Sequence, residues 1–290
     1  MVSILFVGVF DKTRTSTNTS QILSFKNIGC EVVGYNYRKR ALEIGNSNRD
    51  AEIVDLVRKR SFDLVVYSKC NEVSSEVFVE NAKTTKTCMW FMDPLISYSD
   101  EMRQKTRLVD YFCCDKENVL EEAKKYNEKS FHVCEGYDEE VDKPVHVDVK
   151  YDVSFIGNVY GDRLSKIRNI SAPVQVISGV YGKKHAEAVC STRINLNFCT
   201  SDGASDRVYK IMASGGFLLS DDWKGREKHF KDGQEIVIFK SVEDLNEKID
   251  YYLKNPQQRK DIANSALRKV KKFNRANWAK RIIDIYEQIK

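Results

Sequence analysis

The stretch "DRVYKIMASGGFLLSDD", residues 206–222, sets the reading of the whole chain. Residues 205–214 read as a helix, Gly215 and Gly216 end it by permitting left-handed backbone, and "FLLSDD" reads as a strand closing on Asp221 and Asp222. A helix that turns at glycine straight into an apolar strand is part of a strand–helix–strand unit, and repetition of that unit builds a parallel sheet.

Working outward, the same alternation fills most of the chain. In the first half, "SILFVGVF", "CEVVGYNY", "FDLVVYS", "KTCMWFM", "DYFCCD" and "SFHVC" read as strands, separated by helix-like stretches such as "NRDAEIVDLVRKRS" and "KENVLEEAKKYNE". A polar, acidic segment holding Pro144, "GYDEEVDKPVHVDVK" (136–150), reads as a linker. The alternation then restarts with "YDVSFIG", "PVQVISG", "RINLNF", "GFLLSDD" and "EIVIF". Three helix-like segments follow. The first opens on Ser241-x-x-Asp244, close to a capping box, and Pro256 suits a first helical position. The expected fold is α/β: two Rossmann-like domains, residues 1–140 and 151–272, facing across a cleft, with a last helix at 273–290 packing back toward the N-terminal domain.

Composition narrows the class. With 290 residues, 42% hydrophobic and 11% aromatic, the chain has ample material for two cores. "MVSILFVGVFDKT" has no basic leader and reads as a first strand, and no apolar run reaches the roughly 18 residues of a membrane span. None of the eight cysteines stands in a Cys-x-x-Cys pair, which points to reduced thiols in a cytoplasmic protein. The four histidines lack metal-ligand spacing. Residues 1–150 hold 22 Lys/Arg against 25 Asp/Glu, while 254–290 hold 11 against 3. That basic tail is either a solvated helical face or a patch for an anionic partner such as nucleic acid or a membrane surface.

Ligands in open parallel sheets bind beyond the carboxyl ends of strands, so polar residues there are the candidates. On the helix at 205–214, Arg207, Lys210 and Ser214 fall on one face, and two cations are expected to project together. The preceding "TSDGASD" supplies small residues that let helix amides approach a diphosphate. In "YDVSFIGNVYGDR" (151–163) a strand ends at Gly157, Asn158 lies in the loop, and Arg163 opens a helix. "VGVFDKTRTSTNTS" (7–20) is similar, with Gly8 ending a strand before a hydroxyl-rich loop. Neither loop has the dinucleotide glycine fingerprint or the Walker lysine, which disfavours an NAD-type oxidoreductase and an ATP-driven machine. In "MWFMDP" (89–94), Asp93 ends a strand beside Trp90 and Phe91; partial desolvation there would suit it to general-base work, with Asp115 as the comparison.

Three segments, "SFIGNVYGDR", "DRVYKIMASGGFLLSDD" and "HFKDGQEIVIFKSVEDLNEKIDYYLKNPQQRKDIANSALRKV", resemble in order and spacing the carboxyl domain of CgeB-like glycosyltransferases of the GT-B superfamily, over about residues 151–272. The amino half matches only in architecture and in the Trp90–Asp93 segment. The resemblance implies sugar transfer from a nucleotide-activated donor, with nucleotide held mainly by the carboxyl domain and acceptor by the amino domain. It implies that Arg163 neutralises the donor diphosphate, that the Gly215–Gly216 turn passes close to donor, that Tyr209 belongs to the Arg-x-Tyr donor segment, and that Glu235 is the family's turn glutamate. Where relatives carry a ribose-binding Glu, this chain has Lys210, which cannot accept hydroxyl hydrogen bonds. Asp222 and Glu235 are the nearest replacements, or Lys210 joins the phosphate clamp.

The chemistry of the residues agrees. Glycosyl transfer leaves negative charge on the departing diphosphate, which Arg163, Arg207 and Lys210 are placed to meet. No Asp-x-Asp triplet occurs, so no metal or other cofactor is expected beyond the nucleoside-diphosphate sugar, a UDP-sugar foremost, as co-substrate. The expectation is a metal-independent hexosyltransferase of unidentified acceptor. Its alternatives are a DNA-modifying glycosyltransferase engaging nucleic acid through the basic C-terminal helices, and a non-catalytic nucleotide-sugar-binding protein.

Overall fold

The runs "ILFVG" and "LVVYS" are buried along both faces, a condition met by a parallel sheet covered by helices on each side. They are β1 (Ser3–Gly8) and β3 (Leu64–Ser68) of a six-stranded sheet that also contains β2 (Glu31–Asn36), β4 (Lys86–Phe91), β5 (Tyr111–Cys114) and β6 (Ser130–His132), in the order β2-β1-β3-β4-β5-β6. All pairs are parallel, with Ile4 opposite both Val32 and Leu64. The connecting helices are α1 (Thr17–Asn27), α2 (Tyr37–Ile44), α3 (Asn46–Lys59), α4 (Ser75–Ala82), α5 (Asp100–Leu108) and α6 (Glu117–Ala123). The computed structural model describes residues 1–11, 13, 15–200 and 203–290; the expected loops at 7–20 and 200–206 therefore lie in part outside the described residues.

A second, five-stranded parallel sheet has the order β11-β10-β9-β7-β8. Its strands are β7 (Tyr151–Ile156), β8 (Val174–Ile177), β9 (Thr192–Asn197), β10 (Leu218–Asp221) and β11 (Val237–Phe239), and its helices α7 (Arg163–Arg168), α8 (Lys183–Cys190), α9 (Arg207–Ala213), α10 (Val242–Lys254) and α11 (Pro256–Val270). Ser241 caps α10 by accepting from the Asp244 amide at 3.2 Å, and Pro256 is the first residue of α11. Arg268 and Lys269 in the last turn of α11 complement its dipole. No helix among the described residues is long and apolar enough to cross a membrane, and all eight cysteines are free.

The final helix, α12 (Arg275–Ile289), packs with the first sheet, so one compact unit comprises Met1–Glu135 with Arg275–Lys290 and the other Gly136–Asn274. The physical reason is coverage. One face of the first sheet, carrying Leu5, Tyr67 and Phe91, is covered from α3, α4 and α5. The opposite face, carrying Phe6, Val66, Trp90 and Tyr111, is closed by Ile22 and Phe25 of α1 together with Trp278, Ile282 and Ile285 of α12. Trp278 stands edge-on to Trp90 at 5.4 Å and to Phe25 at 5.0 Å between ring centroids.

In the second unit α8 buries His185, whose Nδ1 has no partner among the described residues. Burial, reinforced by the Lys210 cation, pushes its imidazole down to about 3.

Two stability measurements follow. Trp278→Ala is expected to cost about 3–5 kcal/mol in urea unfolding, the usual range for an emptied aromatic core position. Because His185 is depressed below its unfolded value of about 6.5, the unfolded chain binds the extra proton as pH falls from about 6.5 toward 3, and stability declines across that window. His185→Leu should therefore flatten the difference between pH 7 and pH 5 by about 2 kcal/mol, read from denaturation midpoints at the two pH values.

Candidate functional site

In the second unit the chain leaves β7 for β8 on one side and returns to β9 on the other, so the order reverses between β7 and β9 and opens a crevice at their carboxyl ends. Four of the expected residues meet there. Arg163, 4% exposed, donates to the carbonyls of Asn158 (3.2 Å) and Phe198 (3.1 Å) and to the Thr200 hydroxyl (3.0 Å). Arg207 donates to the Ile156 carbonyl at 2.6 Å and to Asn197 Oδ1 at 2.9 Å. Both guanidiniums lie against the Phe155 ring, 5.6 and 4.8 Å from its centroid, and Arg163 also stacks on Tyr160 at 4.1 Å. Gly157 makes this possible: at φ +143° it has no Cβ, which would stand 2.6 Å from an Arg207 nitrogen.

All of these acceptors are neutral, and among the described residues neither arginine is hydrogen-bonded to a carboxylate, the carboxylate charge felt by Arg207 being that of Asp206, which also pairs with Lys210. Arg163 Nε has no partner there at all. Burial, followed by repulsion from Arg163, pulls the Arg207 guanidinium down to about 10. Two like charges desolvated side by side are costly unless an anion joins them. Behind them, Asn197 donates to the Ser220 hydroxyl at 2.9 Å, and Ser154, Asn195, Asn197 and Ser220 form a fully buried polar layer. In register, Ser154 faces Asn195 and Ser220 faces Asn197. The polar alternation in "INLNF" was the sequence signal for this layer; Thr200 and the Lys166–Asp221 pair at 3.3 Å left none.

The other expected residues of this unit have partners of their own. The cation beside Arg207 is Arg163, not Lys210, because Lys210 pairs with Asp206 one turn back at 2.5 Å. Ser214 is buried, and its carbonyl accepts from the Cys190 thiol. Gly215 does take left-handed backbone (φ +78°) and abuts Pro144, but Gly216 has no positive φ; it is glycine because a Cβ would stand 2.5 Å from Val189 and 2.9 Å from Asn195. Tyr209 is buried between Phe230 and Phe273. Asp222 holds Arg226 through both oxygens (3.0 and 3.1 Å), and Glu235 accepts from the Lys231 amide at 2.8 Å, so both carboxylates offered for ribose are engaged in their own loops.

The first unit has a comparable reversal between β1 and β3. A cleft of about 330 Å³ lies there, lined by Ser16, Asn18, Arg38, Ser68, Lys69 and Asp93 among others. Gly8 leaves room for Asn18, whose Oδ1 accepts from the Ser68 hydroxyl at 2.8 Å and whose Nδ2 donates to the Val9 carbonyl at 3.0 Å. Asp93 does not sit on an apolar wall: Trp90 and Phe91 point into opposite cores, and its carboxylate accepts from Lys69 at 2.6 Å. Asp115 is the strand-end carboxylate that burial pushes upward, and it is locked to Lys116 at 2.7 Å. Lys69, which no sequence signal marked, is left-handed (φ 60°), as is Cys70 (φ 58°); each such residue costs on the order of 1–3 kcal/mol.

Solved structures share this architecture at low identity. Anabaena HepE in complex with UDP-glucose superposes with a TM-score of 0.71 at 10% identity, covering 99% of this chain and 100% of that one. A Rickettsia africae glycosyltransferase gives 0.70 at 11%, covering 99% and 98%. Sucrose-phosphate synthase from Thermosynechococcus elongatus gives 0.70 at 10%, covering 99% of each. No curated protein has a matching sequence. The family model described as "Glycosyl transferase-like" matches residues 143–287, half of the chain, and takes in both arginines and the polar layer behind them. With two Rossmann-like parallel sheets of the GT-B type and that match, the chain belongs to the glycosyl transferase-like family and is a glycosyltransferase.

Proposed function

We propose that this enzyme moves a sugar from a nucleoside-diphosphate sugar, a UDP-sugar in the first instance, to a hydroxyl acceptor without a divalent metal, as a CgeB-like member of its family. The observation that carries the proposal is the Arg163–Arg207 pair: two adjacent guanidiniums, the first buried and the second partly buried, hydrogen-bonded only to neutral acceptors among the described residues. A diphosphate supplies the missing counter-charge and accepts bidentately from such planar donors. In transfer, the bond between the anomeric carbon and the diphosphate oxygen breaks, and the charge left on that oxygen is met by the two cations. The acceptor oxygen bonds to the anomeric carbon and gives up its proton; Asp93, in the cleft of the first unit, is the carboxylate assigned to take it. The UDP-glucose complex of HepE, a protein of the same fold, supports a UDP-sugar as the first donor to test. Asp222 and Glu235 remain the carboxylates proposed for the ribose, each at present bonded within its own loop, to Arg226 and to the Lys231 amide. The free thiols agree with a cytoplasmic setting.

UDP at about 100 times its Kd should stabilise the protein by about 2.7 kcal/mol, seen as a thermal shift that survives EDTA. Arg163→Met and Arg207→Met should each weaken UDP binding by about 10- to 100-fold, the range for a hydrogen bond to a charged group; an unchanged shift in both removes the pair from the donor site. Asp93→Asn should keep that shift and lower turnover of UDP-glucose by about 100-fold or more; full turnover would reduce Asp93 to a structural partner of Lys69.

A further inference from the structure

Two consecutive non-glycine residues in left-handed backbone are uncommon, and Lys69 and Cys70 stand just past the carboxyl end of β3, where Lys69 lines the cleft of the first unit. The surrounding structure clamps them there from the buried side. Lys105 of α5, fully buried, donates to the carbonyls of Cys70 (3.0 Å) and Asn71 (3.1 Å). Arg49 of α3, also fully buried, donates to the Glu72 carbonyl. The Cys70 thiol reaches the Val7 carbonyl at 3.3 Å, and the Lys69 amide donates to the Trp90 carbonyl at 2.9 Å. Two buried cations thus bond carbonyls of residues 70–72 while also pairing with acids of their own helices, Lys105 with Glu101 and Arg49 with Asp50.

Cys70 uses its side chain to fill the core. Lys69 does not: its side chain is about one-third exposed, and a glycine would adopt φ 60° without strain. What a glycine could not do is reach across to β4 and place an ammonium 2.6 Å from the Asp93 carboxylate. The strain is explained if that ammonium is what the turn is for. Residues held in sparsely populated backbone regions cluster at functional sites for this reason.

We infer that Lys69 is a positioning residue for Asp93, and that the clamped Lys69–Cys70 turn serves to aim its ammonium so that one carboxylate oxygen is held and the other is presented to the cleft. This rests on Asp93 being the proton acceptor of the proposed transfer. Lys69 neither grips the donor nor holds the fold.

The test uses the full chain and UDP-glucose with water as acceptor, alongside thermal unfolding. Lys69→Met should lower kcat for hydrolysis by about 10- to 100-fold with KM for UDP-glucose within about twofold, and Lys69→Arg should recover most of the loss. Unchanged kcat in Lys69→Met, a raised KM at constant kcat, or a loss that persists in the Asp93→Asn background as a further full factor would each overturn the assignment. Lys69→Gly supplies a readout independent of turnover. Relief of the left-handed strain outweighs loss of a part-exposed ion pair, so the melting temperature should rise by about 2 °C or more. A fall would make Lys69 a structural anchor and overturn the inference. If the wild-type protein neither binds UDP nor turns over UDP-glucose, the donor assignment fails, and the Lys69→Gly melting temperature alone decides whether the strained lysine is kept for the fold.

Discussion

The close approach of two guanidiniums withdrawn from water, Arg163 fully and Arg207 partly, is the constraint around which the second unit is organised. Arg163 and Arg207 are brought together on the Phe155 ring by two helices that start on either side of the sheet reversal. Each accommodation nearby follows from holding them there. Gly157 gives up its side chain to admit Arg207, the ends of β7 and β9 turn carbonyls inward, and a polar layer of asparagine and serine replaces apolar residues on that face of the sheet. Like charges held side by side out of water are costly, and on the proposed function a diphosphate leaving group would meet cations already desolvated and fixed.

The first unit makes a parallel investment of a different kind. There the charges are paired, Lys69 with Asp93 and Arg38 with Glu72, and the cost is carried by the backbone at Lys69 and Cys70. Buried Lys105 and Arg49 keep that turn in place from beneath. In both units the polar machinery stands where strand order reverses, because only there do neighbouring connections diverge to opposite faces of the sheet and leave room beyond the strand ends.

The helix α12 shows how the fold supports these sites at a distance in sequence. It returns to the first unit to close the face on which Trp90 lies, and Trp90 is three residues before Asp93. Packing Trp278 edge-on to Trp90 anchors the end of β4, and with it the carboxylate that follows. A strand end held by aromatic packing keeps its side chains within the narrow geometry that chemistry needs.

By itself the sequence determined the two parallel sheets and the punctuation of helix and strand, and it placed Arg163 and Arg207 at helix starts after strand ends, since periodicity, glycines and capping residues act over a few neighbouring positions. It did not determine what those side chains would touch. Lys210 and Arg207 look equivalent on one helix face, yet a local carboxylate, Asp206, takes one, while the other is drawn to Asn197 and Ile156 from two different strands. Gly215 and Gly216 read as one turn, but only the first is glycine for its backbone; the second yields to Val189 and Asn195. Lys69 carries no local mark because the partners of its turn are distant in the chain: Trp90 and Asp93 for Lys69 itself, Lys105 and Arg49 for the residues that follow. Local pattern specifies elements; which charges end up paired, buried or strained depends on what distant segments bring against them, and that is settled only when the sheet assembles.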